Sequence, residues 1–420
     1  MLRIFMATPA VPLASDEEPR YEPLPRPSRQ GIGLCLSGGG YRATLFHLGA
    51  LRRLNELGVL SHPEFRTISS VSGGSITAAH LATALATRLG RAEAAAIPPE
   101  AWDREVREPL RAFTRRNIRT GPILKRLLPW NWFRASTGVT AIAGRYEKDL
   151  TTLRLGALPE RPNFVLCATD MAFGVNWIFS RERMGDYLAG YAKPGDFTLG
   201  RAVAASACFP PVFNPLPMKL APGALKGGKA PAGAARTAAH ADLRLTDGGD
   251  YDNMGLEPVW KNHAVVLVSD AGGLFTVEGD RGFFWRIGRY QGIQELQARS
   301  LRKRWLISGF LSGSLEGSYW GVGSARGRYQ EEGGYSKAFA MELIAEIRTD
   351  LDAFSDLEAA VLENHGYLLA DAGITRHVPA LGNGAPLRPP HPDALPPAIA
   401  EDELRGRLRD SSRRRLFGRR

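Results

Sequence analysis

The chain has 420 residues and carries 54 Lys/Arg against 43 Asp/Glu, a formal charge of +11. With 44% hydrophobic and 23% charged residues its composition is globular, which excludes wholesale disorder and collagen-like structure. No run of about 18 apolar residues marks a spanning helix, and a pI near 9.8 leaves nucleic acid and an anionic membrane surface both open as partners.

Residues 1–30 hold six prolines between Pro9 and Pro27 and the acidic Asp16-Glu17-Glu18, and read as a flexible N-terminal arm. Ile4–Ala14 is too broken by proline for a secretory apolar region, so a cytoplasmic chain is expected. From Gly31 the pattern changes. Gly31–Leu36 is a short apolar run, followed by Ser37 and three glycines. Leu45, Leu48, Leu51, Leu54 and Leu57 are then spaced for a helix that Gly58 closes. The order repeats with a strand at Arg66–Val71, a turn at Ser72-Gly73-Gly74 and a helix to about Leu89.

Residues 101–134 mix nine Lys/Arg and three acids with Trp102, Phe113, Trp130, Trp132 and Phe133, and read as a basic aromatic cap or interface segment. Asn163–Thr169 and Ala264–Ser269 are further buried-strand candidates. Apolar strands separated by helices predict an α/β chain with three α/β/α layers and a mostly parallel sheet, spanning 31–375. Residues 221–241, rich in Ala, Gly, Pro and Lys, read as a flexible insertion. Residues 276–308 and 336–374 read as helices, with Gln294–Leu306 basic on one face. Seven prolines in 376–400 close the domain, and the last twenty residues, with eight Arg and four acids, read as a basic tail. Cys35, Cys167 and Cys208 lie in apolar runs and fit small core residues in a reducing compartment, not a disulfide framework or a zinc site.

Three positions carry candidate chemistry. In Ser37-Gly38-Gly39-Gly40-Tyr41-Arg42 the glycines let backbone N–H groups face a cleft at a helix N-terminus, which favours an anion. The anion is a phosphate or the oxyanion of a tetrahedral acyl intermediate; the P-loop and dinucleotide-fold spacings are both absent. Ser70-Val71-Ser72-Gly73-Gly74 has the small residues two before and two after a serine that a nucleophile elbow needs, although a serine there also serves as a helix cap. The serine needs a base. None of the eight histidines (His47, His62, His80, His240, His263, His365, His377 and His391) sits in a setting that announces a triad. Asp247, followed by Gly248-Gly249, is the better candidate, with an Asx-turn as its structural alternative.

Taken in this order the motifs resemble the patatin-like phospholipase family, with relatives in the group-IV cytosolic phospholipases and fungal phospholipases B. Ala204–Phe213 is similar to the family's Ser-rich segment ending in proline and an aromatic residue, and Asn163–Asp170 to its central strand. The resemblance runs from about Gly31 to Gly273 and more loosely to Ile374. It implies a Ser72–Asp247 dyad without a catalytic histidine, and an oxyanion hole from Gly38, Gly39 and Gly40. It also implies Arg42 as a head-group residue, with a structural ion pair as the alternative, and no metal or cofactor. The implied reaction is ester hydrolysis of phospholipid or lysophospholipid, with acylglycerols or small carboxylic esters as the alternative substrates. A basic scaffold or nucleic-acid binder on a degenerate hydrolase fold is the alternative from another class. Two positions depart from the pattern: Ser70 stands where a glycine is usual, and Ala43 where a glycine often follows the basic residue. Residues 101–134 contribute +6 and residues 376–420 contribute +5, the whole excess, and the catalytic motifs lie outside both. An anionic membrane, with the protein peripheral to it, is therefore the expected partner rather than nucleic acid.

Overall fold

The computed structural model describes residues 29–89, 96–128, 130, 136–210, 212–273, 275, 277 and 279–409. The expected N-terminal arm lies outside the described residues except for its last two. The apolar run after Gly31 forms β1 (Ile32–Leu36), buried along its whole length. It leads through the glycines into α1 (Gly40–Glu56), which Gly58 ends in the left-handed conformation at φ 77°. β2 (Phe65–Val71) and α2 (Gly73–Thr83) repeat that unit. α3 (Pro99–Trp102), α4 (Glu108–Thr114), α5 (Thr120–Leu127) and α6 (Thr137–Asp149) follow, before β3 (Asn163–Asp170).

β4 (Val175–Phe179), β5 (Met184–Asp186) and β6 (Gly190–Ala192) form a meander, and α7 (Leu199–Ser206) returns the chain to β3. Next come β7 (Leu216–Pro217), α8 (Ala234–Ala241), β8 (Arg244–Asp247), α9 (Gly249–Asp252) and β9 (Val265–Asp270). The long α10 (Phe283–Leu311), β10 (Glu316–Gly321), α11 (Lys337–Phe339), α12 (Asp356–His377) and α13 (Glu401–Leu408) complete the order.

The ten strands make one mixed sheet flanked by helices, as expected. Its parallel part is β10-β9-β1-β2-β3, and the strands beyond β3 pair antiparallel. Strands covered on both faces explain why β1, β2, β3 and β9 are apolar runs and do not alternate. α1 and α12 pack at unusually close range. A Cβ on Gly49 would lie 1.9 Å from the Glu363 carbonyl oxygen, and one on Gly366 would lie 1.9 Å from that of Phe46. Arg53 of α1 then clamps Asp371 of α12 at 2.8 Å, and Arg326 holds the other oxygen of that carboxylate at 2.8 Å.

Three expectations change. The domain does not stop at 375: Leu395, Ile399, Leu404 and Leu408 enter the main core. Burying each such side chain is worth about 1.5–3 kcal/mol, which holds 379–408 against the domain despite the prolines; residues 410–420 lie outside the described residues. Residues 221–241 pair with the sheet through Lys226 and Tyr191 and contain α8, none of whose residues is buried. Residues 101–134 divide in two. Trp102, Val106, Leu110, Phe113 and Ile118 are core, whereas Leu124, Leu128 and Trp130 are exposed; Trp132 and Phe133 lie outside the described residues. The three cysteines are free and buried.

Candidate active site

The C-terminal ends of β1, β2, β8 and β9 converge, the edge at which open α/β sheets place their ligand crevice. Ser72 follows β2 directly, with φ 48° and ψ −115°. Such a backbone costs a non-glycine residue about 1–3 kcal/mol and persists only where surroundings hold it. Here they do. The Ser72 N–H donates to Ser206 Oγ at 3.0 Å, and that hydroxyl donates to the Cys167 carbonyl at 2.6 Å. Gly74 N–H donates to the Ser37 carbonyl at 3.1 Å. A Cβ on Gly73 would lie 2.1 Å from the Gly40 carbonyl oxygen, so the elbow and the glycine turn are in backbone contact. The unusual Ser70 fits because its hydroxyl is satisfied: it donates to the Val165 carbonyl (3.3 Å) and accepts from Ser75 (3.0 Å).

Strand register brings Asp247 to Ser72. Val71 pairs with Cys167 on β3, and the next β3 residue, Ala168, pairs with Asp247. β8 thus takes over the edge of β3 where β2 leaves it, so residues 175 positions apart in sequence become neighbours. Thr169 Oγ1 donates to the Asp247 carbonyl oxygen at 2.8 Å, and the Gly249 N–H donates to Asp247 Oδ1 at 2.7 Å. Oδ2 is buried with no hydrogen-bond partner among the described residues. Burial pushes the Asp247 carboxyl up to about 8; the Gly249 N–H and the Ser72 hydroxyl oppose the rise, and Asp250 and Glu295 add to it. Ser72 is close enough to act on that carboxyl, although no formed hydrogen bond joins the two side chains among the described contacts, a looseness common before substrate binds.

No histidine is among the described residues lining this cavity. His47, the nearest in chain order to the glycine turn, is fully buried between the Ser37 carbonyl (2.9 Å) and Ser269 Oγ (2.8 Å). Burial lowers its pKa to about 4, so it is a neutral brace. His80 and His365 bind the carbonyls of Val106 and Val322 in the same way.

Two expected site residues are placed differently from the sequence reading. The Gly38 N–H already donates to the Asn253 carbonyl at 2.9 Å, which commits it elsewhere. Gly39 and Gly40, at φ 138° and 55°, line the cavity, and among the described contacts neither N–H has an acceptor. Arg42 does not reach the cavity. It is 2% exposed and spends four N–H groups on the carbonyls of Ala271, Ala345 and Ile347. The same segment accepts a further bond from the turn: the Tyr41 N–H donates to the Asp350 carbonyl at 2.9 Å. Arg42 therefore fastens residues 345–350 over the glycine turn, and the head-group expectation does not fit its position.

Among the described residues the cations that line the cavity are Arg119 and Arg299. Arg299 makes contacts of 2.9 and 3.0 Å to both oxygens of Asp270, and its presence holds that carboxyl well below the usual range despite burial. Arg119 is paired with Asp350 and Asp352. The sequence marked α10 only as basic on one face, and nothing in it said that Arg299 turns inward. Asn253 was also missed. Its side chain wedges between Gly38, Gly249 and Gly272, within 2.9 Å of where each would carry a Cβ. The legible signal was its spacing, four residues after Gly249 and so on the same helical face.

The cavity measures about 480 Å³. Beside Ser72 and Asp247 it is lined by Phe209, Val212, Phe213, Phe275 and Leu296, an apolar wall with a few convergent polar groups of the kind that holds a small ligand. A hydroxyl, a high-pKa carboxyl and two open N–H groups on one apolar cavity are the parts that acyl transfer requires.

Among solved structures the chain is similar to human GIVD cytosolic phospholipase A2, at 13% identity and a TM-score of 0.43, over 83% of this chain and 58% of that one. It is also similar to VipD from Legionella pneumophila, at 14% identity and a TM-score of 0.34, over 84% and 67%. The chain thus spans between half and about two thirds of the length of these two proteins. No curated protein matches by sequence. A family model described as patatin-like phospholipase matches residues 34–260. That match covers more than half of the chain and contains the glycine turn, the elbow and Asp247, and the chain belongs to the patatin-like phospholipase family.

Proposed function

We propose that this member of a lipid acyl hydrolase family cleaves phospholipid or lysophospholipid esters through Ser72 and Asp247. One observation carries the reading: the strained Ser72 faces, in one cavity, a buried carboxyl with an open oxygen and the open N–H groups of Gly39 and Gly40. In the first half-reaction Ser72 Oγ bonds to the ester carbonyl carbon while Asp247 Oδ2 takes the hydroxyl proton. The carbonyl oxygen becomes an oxyanion between the two glycine N–H groups, each such donor being worth about 2.7–4 kcal/mol in the transition state. The tetrahedral intermediate collapses, the alkoxide leaves, and Asp247 returns the proton to it. Water then attacks the acyl-serine, giving its proton to Asp247, and collapse releases the fatty acid and the serine hydroxyl.

A carboxyl with a pKa near 8 suits this work better than an ordinary aspartate, because a base near the operating pH has more driving force for taking the serine proton. Arg119 and Arg299, not Arg42, are the described cations that a phosphate in the cavity would meet, each from within its carboxylate pair, and the apolar wall receives the acyl chain. Among the described residues no helix is long and apolar enough to cross a membrane, so this reading has a peripheral protein drawing lipid from an anionic surface.

A fluorophosphonate probe followed by peptide mapping tests the nucleophile: labelling is expected on Ser72 and lost in Ser72→Ala. Well-folded protein that is not labelled there overturns the reading. Rates on long-chain phospholipid, diacylglycerol and short p-nitrophenyl esters separate the phospholipase from an acylglycerol lipase or a carboxylesterase.

A further inference from the structure

α10 has two faces with different surroundings. Gly292, Glu295, Leu296 and Arg299, spaced three and four apart, line the cavity. On the other side Phe283, Ile287, Tyr290, Leu301 and Trp305 are 68%, 52%, 62%, 60% and 43% exposed. At 100° per residue these five fall within a narrow stripe, Leu301 and Trp305 repeating the positions of Phe283 and Ile287 five turns later. A monomeric soluble surface rarely carries so many large apolar groups in line.

Within the helix the charges around the stripe are almost all positive. Within Phe283–Leu311 there are six Lys/Arg and a single acid, Glu295, which faces the cavity. Arg286 and Arg304, again five turns apart, are exposed along one edge of the stripe, Arg286 in an ion pair with Asp280 at 2.5 Å, and Arg281 is exposed just before the helix. Tyr and Trp beside Arg over an aliphatic stripe is the side-chain set of helices that lie in a lipid interface. The mouth of the cavity lies beside the same helix: Phe275 lines the cavity, is 39% exposed, and carries the guanidinium of Arg289, a residue of α10, 3.6 Å above its ring.

Building on the lipid-ester reading above, we infer that the outer face of α10 seats the protein on an anionic phospholipid bilayer. The helix lies flat in the head-group layer, Phe283, Ile287, Tyr290, Leu301 and Trp305 enter it, and Arg281, Arg286 and Arg304 meet lipid phosphates. Because the opposite face of the same helix is a wall of the cavity, seating brings the mouth at Phe275 to the lipid surface. The docking element is thus α10; in residues 101–134 Trp102, Val106, Leu110, Phe113 and Ile118 are core, and the exposed Leu124 and Trp130 are the competing seat that the test separates.

The test uses the full chain carrying Ser72→Ala, so that lipid is not consumed, with vesicles of phosphatidylcholine alone or with 30% phosphatidylglycerol, in co-sedimentation. Binding is expected to the anionic vesicles, to weaken with salt, and to fall at least ten-fold with Ile287→Glu/Leu301→Glu. Arg286→Gln/Arg304→Gln is expected to cost about five-fold per charge on anionic vesicles. In the wild-type background Ile287→Glu/Leu301→Glu should leave melting temperature and hydrolysis of a monomeric short-chain ester unchanged while lowering hydrolysis of vesicle lipid. Undiminished vesicle binding by that variant overturns the inference. So does loss of binding with Leu124→Glu/Trp130→Glu but not with the α10 variant, or a wild-type dimer that the α10 variant dissolves without any vesicle binding. Vesicle binding through α10 with hydrolysis intact in Ser72→Ala would overturn the serine mechanism and leave the docking face standing.

Discussion

On one side of the cavity the ends of β1, β2 and β8 present backbone: glycine N–H groups, a serine on a strained turn, and an aspartate fixed by strand register. On the other side α10 presents long side chains, Glu295, Leu296 and Arg299 inward and an apolar stripe outward. The backbone of the first wall is held by short hydrogen bonds, as Ser206 holds the Ser72 N–H and Thr169 the Asp247 carbonyl. The second wall is a single helix standing over the sheet edge. On the function proposed above, the two walls have separate tasks. Charge that develops during acyl transfer needs donors fixed in advance, which backbone in a sheet edge supplies, whereas selecting and receiving a lipid needs area and charge, which a helix face supplies.

The largest effects should come from the sheet wall. Ser72→Ala is expected to lower kcat by at least about a thousand-fold, and Asp247→Asn comparably, with far-ultraviolet circular dichroism unchanged in both. A histidine variant equally inactive would replace the dyad with a triad. Asp247 also makes a stability prediction whose sign follows from its raised pKa. Its folded-state value, about 8, exceeds the unfolded value of about 3.9. The stability it contributes is therefore fully present below pH 4 and lost as pH rises through about 8. Asp247→Asn should melt at the wild-type temperature at pH 4 and above it at pH 8; a variant that melts lower at pH 8 contradicts the cost assigned to burying this charge.

The same pKa sets a rate profile. If Asp247 is the base, kcat/KM on a soluble ester rises with pH and levels off above about 8; a plateau reached by pH 5 would assign the base to another group. Next in size is Gly73→Ala. Its Cβ would fall 2.1 Å from the Gly40 carbonyl oxygen, and overpacking of that kind costs about 1–3 kcal/mol. The displacement would also open the contact between nucleophile and glycine turn, so kcat should fall about a hundred-fold, more than the loss in melting temperature would account for.

The smallest effects sharpen the division between walls. Arg299→Gln should raise KM for phospholipid several-fold relative to diacylglycerol. Arg42→Gln should leave that ratio alone and lower the melting temperature, since the buried carbonyls of Ala345 and Ile347 lose donors, at about 1–3 kcal/mol per unsatisfied group. Equal effects of the two on substrate preference would return the head-group role to Arg42.

Whereas β10, with two glycines and a glutamate in six residues, was not legible along the chain, strands β1, β2, β3 and β9 of the parallel block, the helix after each glycine turn, and the roles proposed for Ser72 and Asp247 were. The reason is that each is local: an apolar run long enough for a doubly covered strand, then small residues where backbone must bend sharply. Gly73 and Gly74 have to be glycine because of atoms a few ångströms away, and that demand is written in the sequence as a motif. Other features depended on which segments meet in space, and no local pattern encodes that. The tertiary structure alone decided that β8 takes up the edge of β3 where β2 ends, delivering Asp247 to Ser72. It alone turned Arg42 into a buried strap, committed the Gly38 N–H to Asn253, and brought Arg299 into the cavity from α10. It also folded the proline-rich segment back onto the core. A guanidinium satisfies carbonyls, a carboxylate or a phosphate equally well, and an apolar residue packs on protein or on lipid; the sequence supplies those capacities, and the partner that each one meets is fixed by packing.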